Sequence, residues 1–136
     1  MTDVLQQDGP ARRLADETIA WLTTAGADGQ PQSSPVWFLW DGTSLWLQSQ
    51  AQAGKVRNIA ANPRVSFHLA NDETGGNIIT IEGTASIDDA LPDQLFGAYV
   101  AKYDEAIRTG LQTTPEQLIV DYPTTIRITP TRTRTW

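Results

Sequence analysis

Alternating apolar and polar positions predict that much of this chain forms short β-strands. The pattern is clearest in residues 78–87, where Ile79, Ile81 and Ala85 alternate with polar side chains, as expected of a strand with one face on a core. Five other segments have suitable lengths and are rich in β-branched or aromatic residues: 19–24, 32–40, 44–49, 64–69 and 124–129. The pattern therefore predicts six strands, the last followed by a polar tail.

Turn and helix signals organise these strands. Asp28-Gly29 and Asp41-Gly42 tolerate the positive φ angles of tight turns, so we expect the first three strands to form a meander. Helical spacing of apolar residues predicts short helices at residues 12–18, 52–61, 91–103 and 115–120. The expected fold is mainly β (α+β): a six-stranded antiparallel barrel with short peripheral helices, in one domain spanning residues 1–136.

The segment 35–40 breaks the alternation, because both faces of the predicted strand are apolar. Val36, Phe38 and Trp40 point one way while Trp37 and Leu39 point the other. The next strand also has two apolar faces, because Trp46 lies between Leu45 and Leu47. The outer apolar face needs a cover, and we favour a second subunit over the alternative, a helix at residues 91–103.

The composition of the chain excludes some kinds of binding site and binding partner. With no cysteine, the chain has neither a disulfide framework nor a thiolate zinc site. The net charge of −6 argues against nucleic acid as the main partner. No apolar run approaches the ~20 residues that span a bilayer. We therefore expect a cytoplasmic protein that binds neither nucleic acid nor membrane.

The few cations are unevenly placed. Lys55 and Arg57 stand at the start of the predicted helix 52–61, where the positive end of the helix dipole disfavours them. A bound anion such as a phosphate would relieve this repulsion. Ordinary surface charge is the alternative, and Lys102, away from this cluster, is expected to be such a surface residue.

The chain offers few groups for catalysis. Its one histidine, His68, lies in a predicted strand, where a structural role is more usual than a catalytic one. No catalytic residue and no metal site can be assigned from this inventory. A protein with so few catalytic groups either does no chemistry or obtains it from a cofactor.

Four stretches together resemble a known family: GQPQSSPVWF at 29–38, GKVRNIAANPRVSF at 54–67, IEGTA at 81–85, and the closing segment 126–136. Their order and spacing resemble the pyridoxamine-5′-phosphate-oxidase-like superfamily of split barrels. Within it the chain looks most like the probable deazaflavin (coenzyme F420)-dependent oxidoreductases. The resemblance begins near residue 18 and leaves residues 90–121 unexplained.

The resemblance implies a homodimeric split barrel of the FMN-binding type, with a flavin-like ring in a groove between subunits. The residues that would line the ring are Ser33, Pro35, Val36 and Trp37. Those that would hold the phosphate end are Ser49, Gln50, Lys55, Arg57 and Asn58.

Departures from the family pattern guide the choice of activity. Arg132-Thr-Arg134 lacks the histidine of the vitamin-binding element, and Ser33 and Ser34 stand where basic residues contact the flavin phosphate. Oxidation of vitamin B6 is therefore not expected. The resemblance implies hydride transfer between F420 and a small unsaturated organic substrate. The alternatives are an FMN-dependent oxidoreductase, a non-catalytic flavin or deazaflavin carrier, and a barrel whose site is vestigial.

Overall fold

A computed structural model describes residues 3–88 and 90–136 of the chain. Within these residues, a curled antiparallel half-barrel sheet of seven strands has the order β2-β1-β5-β6-β7-β4-β3. The strands are β1 Ala20–Ala25, β2 Pro31–Val36, β3 Leu39–Trp40, β4 Leu45–Ser49, β5 Arg64–His68, β6 Ile79–Asp88 and β7 Thr124–Thr135. The fold is thus mainly β, as predicted, with one strand more than the six expected.

The extra strand arises because the predicted strand 32–40 is bent. Its first part, β2, pairs with β1 at one edge of the sheet, and its last part, β3, pairs with β4 at the other edge. Only Trp37 and Phe38 separate these two edge strands. The sheet must therefore curl until its two edges lie one short bend apart.

Side chains of a distant helix stabilise this bend. The Phe38 amide donates a hydrogen bond to the Tyr103 hydroxyl at 2.9 Å, and that hydroxyl lies 2.7 Å from the Thr18 carbonyl oxygen. The Lys102 ammonium donates to the Phe38 carbonyl at 2.9 Å and lies 3.7 Å from the centroid of the Phe38 ring. Burial lowers the pKa of Lys102 to about 8. The expectation that Lys102 is an ordinary surface cation is therefore wrong.

Four α-helices accompany the sheet in the described residues: α1 Asp8–Asp16, α2 Gly54–Ala61, α3 Asp93–Glu105 and α4 Pro115–Asp121. The predicted helix 12–18 is displaced toward the N-terminus, since Pro10 fits a first helical turn, whose amides need no helical partner. A π-helical turn, Ala106–Gly110, extends α3. None of the described helices has the length and apolar character that crossing a bilayer requires.

Strand β7 runs well past the predicted end at residue 129, because a β-bulge accommodates the proline that follows. The register of the β6–β7 ladder shifts between Glu82 and Gly83, and Gly83 then faces Pro130. A Cβ atom on Gly83 would lie 2.7 Å from the Thr129 carbonyl oxygen. This is too close for a side chain, so the approach of β7 to β6 at the bulge requires glycine at position 83. The predicted polar tail instead pairs with β6, and Thr135 faces Ile79.

The two apolar faces of the bend enter two separate cores. Val36 and Phe38 belong to the core inside the curled sheet. Leu39 and Trp46 belong to a second core, against which Trp37 packs. The remaining members of this second core come from or flank helices α3 and α4: Leu91, Tyr99, Tyr103, Ile107 and Leu118. Helices of the same chain therefore cover the outer face, and assigning that face to a subunit interface is wrong.

Candidate functional site

An aromatic cavity of about 270 Å³ lies between the sheet and the helices. One wall contains the end of β2 and the bend, and the other contains α3, α4 and the residues that flank α4. The lining residues are Pro35, Val36, Trp37, Gln48, Lys55, Tyr99, Leu111, Leu118 and Tyr122. Because aromatic and aliphatic side chains dominate both walls, the cavity suits a flat, largely apolar group.

A polar cleft of about 260 Å³ adjoins the start of α2. Its lining residues are Thr24, Gln32, Ser33, Ser34, Gly54 and Lys55. Lys55 also lines the aromatic cavity and is the one residue the two linings share. A ligand with a flat ring and a phosphate end could therefore use both spaces, with Lys55 at their junction.

Lys55 is a half-buried cation without a counterion. Among residues 3–88 and 90–136, no carboxylate forms an ion pair with it and no acceptor takes a hydrogen bond from its ammonium group. Burial lowers the pKa of this lysine, because desolvation penalises its charged form. A bound anion would supply the missing partner.

The start of α2 offers two backbone donors beside Lys55. The Ala53 side chain provides no cap, and the first turn contains no acidic residue. The amides of Gly54 and Lys55 have no acceptor within the described part of the chain. The positive end of the helix dipole thus reinforces the charge of Lys55, and the donor set fits a phosphate.

Asn58 holds two lining residues of the polar cleft in position. Its side-chain amide donates to Thr24 Oγ1 and to Gln32 Oε1, each at 3.0 Å, and both acceptors line the cleft. Ser33, another lining residue, shares a 2.7 Å hydrogen bond with the Thr23 hydroxyl. These contacts fix the cleft within one chain.

The structure brings together only some of the predicted site residues. Ser33 lines the cleft, Lys55 lines both spaces, and the predicted ring contacts Pro35, Val36 and Trp37 line the aromatic cavity. Ser49, Gln50, Arg57 and Asn58 line neither space. Ser49 is buried, with its hydroxyl donating to the Gln50 carbonyl at 3.3 Å. The Arg57 guanidinium donates to the Gln52 carbonyl at 2.6 Å, so it already has a partner.

Sequence reasoning missed the helical wall of the aromatic cavity. Tyr99 and Tyr122 lie within or beside the segment 90–121, where no motif was identified. Tyr99 and Tyr103 are four residues apart on one helix face, a spacing that indicates a shared environment. Their ring centroids are 5.1 Å apart, and Tyr103 stacks on Trp37 at 4.4 Å. The four-residue spacing of the two tyrosines could have indicated that they share one environment. It does not indicate which part of the sheet their rings contact.

Comparison with known proteins identifies the family of this chain. The family model described as pyridoxamine 5′-phosphate oxidase matches residues 11–136. The chain belongs to the pyridoxamine 5′-phosphate oxidase family. No curated protein sequence matches at a significant level.

Solved structures similar to this pyridoxamine 5′-phosphate oxidase family member differ in their described roles. An F420 reductase is 25% identical, with a TM-score of 0.71 over 90% of this chain and 94% of that chain. A conserved hypothetical protein from Mycobacterium tuberculosis is 26% identical, with a TM-score of 0.73 over 93% of this chain and 81% of that chain. HutZ, the heme storage protein from Vibrio cholerae, is 21% identical, with a TM-score of 0.69 over 92% of this chain and 90% of that chain, and supports the fold alone.

Proposed function

We propose that this protein is an oxidoreductase that binds a deazaflavin, coenzyme F420, and transfers hydride between it and a small unsaturated organic substrate. The observation that carries the proposal is the position of Lys55. This half-buried cation has no partner among the described residues, and it lines both the aromatic cavity and the polar cleft. A ring joined to a phosphate has matching chemistry. The 25% identity with an F420 reductase supports the choice of deazaflavin.

Each part of the site has a defined task in this proposal. Lys55 and the free amides at the start of α2 hold the phosphate end. The Trp37 amide, which has no acceptor within the described residues, donates to the ring. Apolar walls such as Leu118 exclude water, and this strengthens every polar contact inside the cavity. The bound deazaflavin would supply the hydride, and the protein would supply orientation.

Titration with both cofactors tests the proposal. We expect F420 to bind more tightly than FMN, because Ser33 and Ser34 stand where basic residues hold the flavin phosphate in FMN-dependent relatives. Quenching of cofactor or tryptophan fluorescence gives both dissociation constants. Tighter binding of FMN, or purification as a yellow FMN complex, would favour the FMN-dependent alternative. Binding without turnover of any acceptor would favour a carrier.

We also propose that two copies of the chain form a homodimer. The supporting feature is Trp21 on the outer face of β1, which is 41% exposed and lies opposite Pro35 at the rim of the aromatic cavity. Exposed tryptophan is typical of protein interfaces. Light scattering at micromolar concentration should give about twice 14.9 kDa. A monomer would contradict the dimer and leave the Lys55 site, formed within one chain, unaffected.

A further inference from the structure

Two consecutive residues of α3 hold both backbone polar groups of Phe38. The Phe38 amide donates to the Tyr103 hydroxyl at 2.9 Å. The Phe38 carbonyl oxygen lies 2.9 Å from the Lys102 ammonium and 3.1 Å from the Tyr103 hydroxyl. A hydroxyl group has one proton to donate, and that of Tyr103 lies nearer to the Thr18 carbonyl oxygen, at 2.7 Å. The Phe38 carbonyl therefore depends on Lys102 as its donor.

The surroundings of Lys102 favour a charged ammonium group. Its Nζ lies 3.7 Å from the centroid of the Phe38 ring, in a cation–π contact. It also lies 3.5 Å from the carbonyl oxygen of Leu14 in the last turn of α1, where the negative end of the helix dipole attracts a cation. The carboxylates of Asp16 and Glu17 oppose the desolvation that lowers the pKa of Lys102 to about 8. The ammonium form therefore prevails at neutral pH.

A half-buried lysine at this position has a cost that an apolar residue would avoid. Among residues 3–88 and 90–136, no carboxylate forms an ion pair with Lys102, and removing a charge from water is unfavourable. Methionine would fill much of the same space without that cost. What lysine adds is a directed, charge-assisted hydrogen bond from α3 to the bend between β2 and β3.

The bend that Lys102 holds forms part of the strand wall of the aromatic cavity. Val36, at the end of β2, is fixed opposite Ala20, and Phe38 is fixed by α3. Trp37 lies between these two anchors and lines the cavity, and its ring stacks on Tyr103 with the planes 4° apart. A change in the Phe38 anchor would therefore turn the Trp37 amide and ring relative to the cavity.

We infer that Lys102 is a positioning residue for the cofactor ring: it holds the Phe38 carbonyl against α3 and thereby sets the direction of the Trp37 amide and ring at the cavity wall. Lys102 does not itself line the aromatic cavity, so it acts through Trp37. This inference rests on the proposed function, which makes the Trp37 amide a donor to the ring.

Two ligands separate the ring site from the phosphate site. The phosphate-free fragment of F420, its deazaflavin ring with the ribityl chain (Fo), tests the first, and inorganic phosphate tests the second. We expect Lys102→Met to weaken Fo binding by about 10-fold, the effect of losing one charge-assisted hydrogen bond. Phosphate binding, followed by the amide NMR signals of Gly54 and Lys55, should match the parent, because Lys102 does not line the polar cleft.

Two further variants test whether the donor and the charge are responsible. Lys102→Arg keeps both and should recover most of the lost affinity for Fo. Gln94→Met is the matched control, since Gln94 is exposed on the same helix, and it should bind Fo like the parent. If Lys102→Met does not fold, Lys102→Gln, with a shorter neutral side chain, takes its place with the same expected results.

The NMR signals of Trp37 show its position without any cofactor. In Lys102→Met, the backbone amide and indole signals of Trp37 should shift, because the anchor at Phe38 has changed. In Gln94→Met they should stay in place. Unmoved Trp37 signals in Lys102→Met would overturn the inference, since the lysine would then not set the direction of Trp37.

The remaining outcomes distinguish this inference from the proposed function. Parent-like Fo binding by Lys102→Met would overturn the inference, while F420 binding by the parent would still support the function. Equal loss of Fo and phosphate binding would make Lys102 a structural residue of the whole fold and also overturn the inference. Failure of the parent to bind both Fo and F420 would reject the proposed function, and the inference with it.

Discussion

Replacing Lys55 by alanine should weaken F420 binding by about 10- to 150-fold, which corresponds to about 1.5–3 kcal/mol for a charge-assisted hydrogen bond. Cofactor-free Lys55→Ala should be as stable as the parent or slightly more stable. The physical reason is that the ammonium has no partner in the described chain and lies near the positive end of the α2 dipole. Fluorescence titration and urea unfolding measure the two effects separately.

Salt and a control variant show whether the charge itself is responsible. Raising the ionic strength should weaken F420 binding more in the parent than in Lys55→Ala, because the variant has lost the screened attraction. Arg12→Ala is the control, since Arg12 is exposed and distant in sequence from the cleft. Parent-like binding with a lower unfolding midpoint in Lys55→Ala would make this lysine structural and reject the anion site.

Arg57 provides a graded comparison for the same site. The sequence assigned it to the phosphate along with Lys55, but its guanidinium already donates to the Gln52 carbonyl. Arg57→Ala should therefore affect F420 affinity less than Lys55→Ala does. The difference between the two variants distinguishes a direct contact with the anion from support of the loop that precedes α2.

Replacing Tyr103 by phenylalanine should lower the free energy of unfolding by about 2–4 kcal/mol. The change leaves the buried Phe38 amide without its acceptor and removes the contact with the Thr18 carbonyl. Urea denaturation measures the loss as a shift of the midpoint at constant m-value. Tyr99→Phe removes a hydroxyl from the same helix and should show no such loss. A parent-like midpoint for Tyr103→Phe would mean that the bend between β2 and β3 does not depend on this hydrogen bond.

The sequence by itself determined those features that depend on near neighbours. Strand β6 was predicted almost to its ends, because one buried face imposes a period of two on the side chains. The helix α2 and the cations at its start follow from local spacing and from Asn62-Pro63, which ends it. The position of Lys55 at a helix start was therefore predictable, and its chemistry indicated an anion before any cavity was known.

Only the tertiary structure decided how these elements close into a site. The bend at Phe38 depends on Tyr103, 65 residues away in the chain, and no local pattern contains that hydrogen bond. The residues of α3 that cover Trp37 are equally far from it in the chain. For this reason the sequence assigned the cover of Trp37 to another subunit and gave no sign that Tyr99 lines the cavity. Hydrophobic patterning states that a face must be buried, but not what buries it. The partner is chosen by long-range packing and by hydrogen bonds that form only when the whole chain has folded.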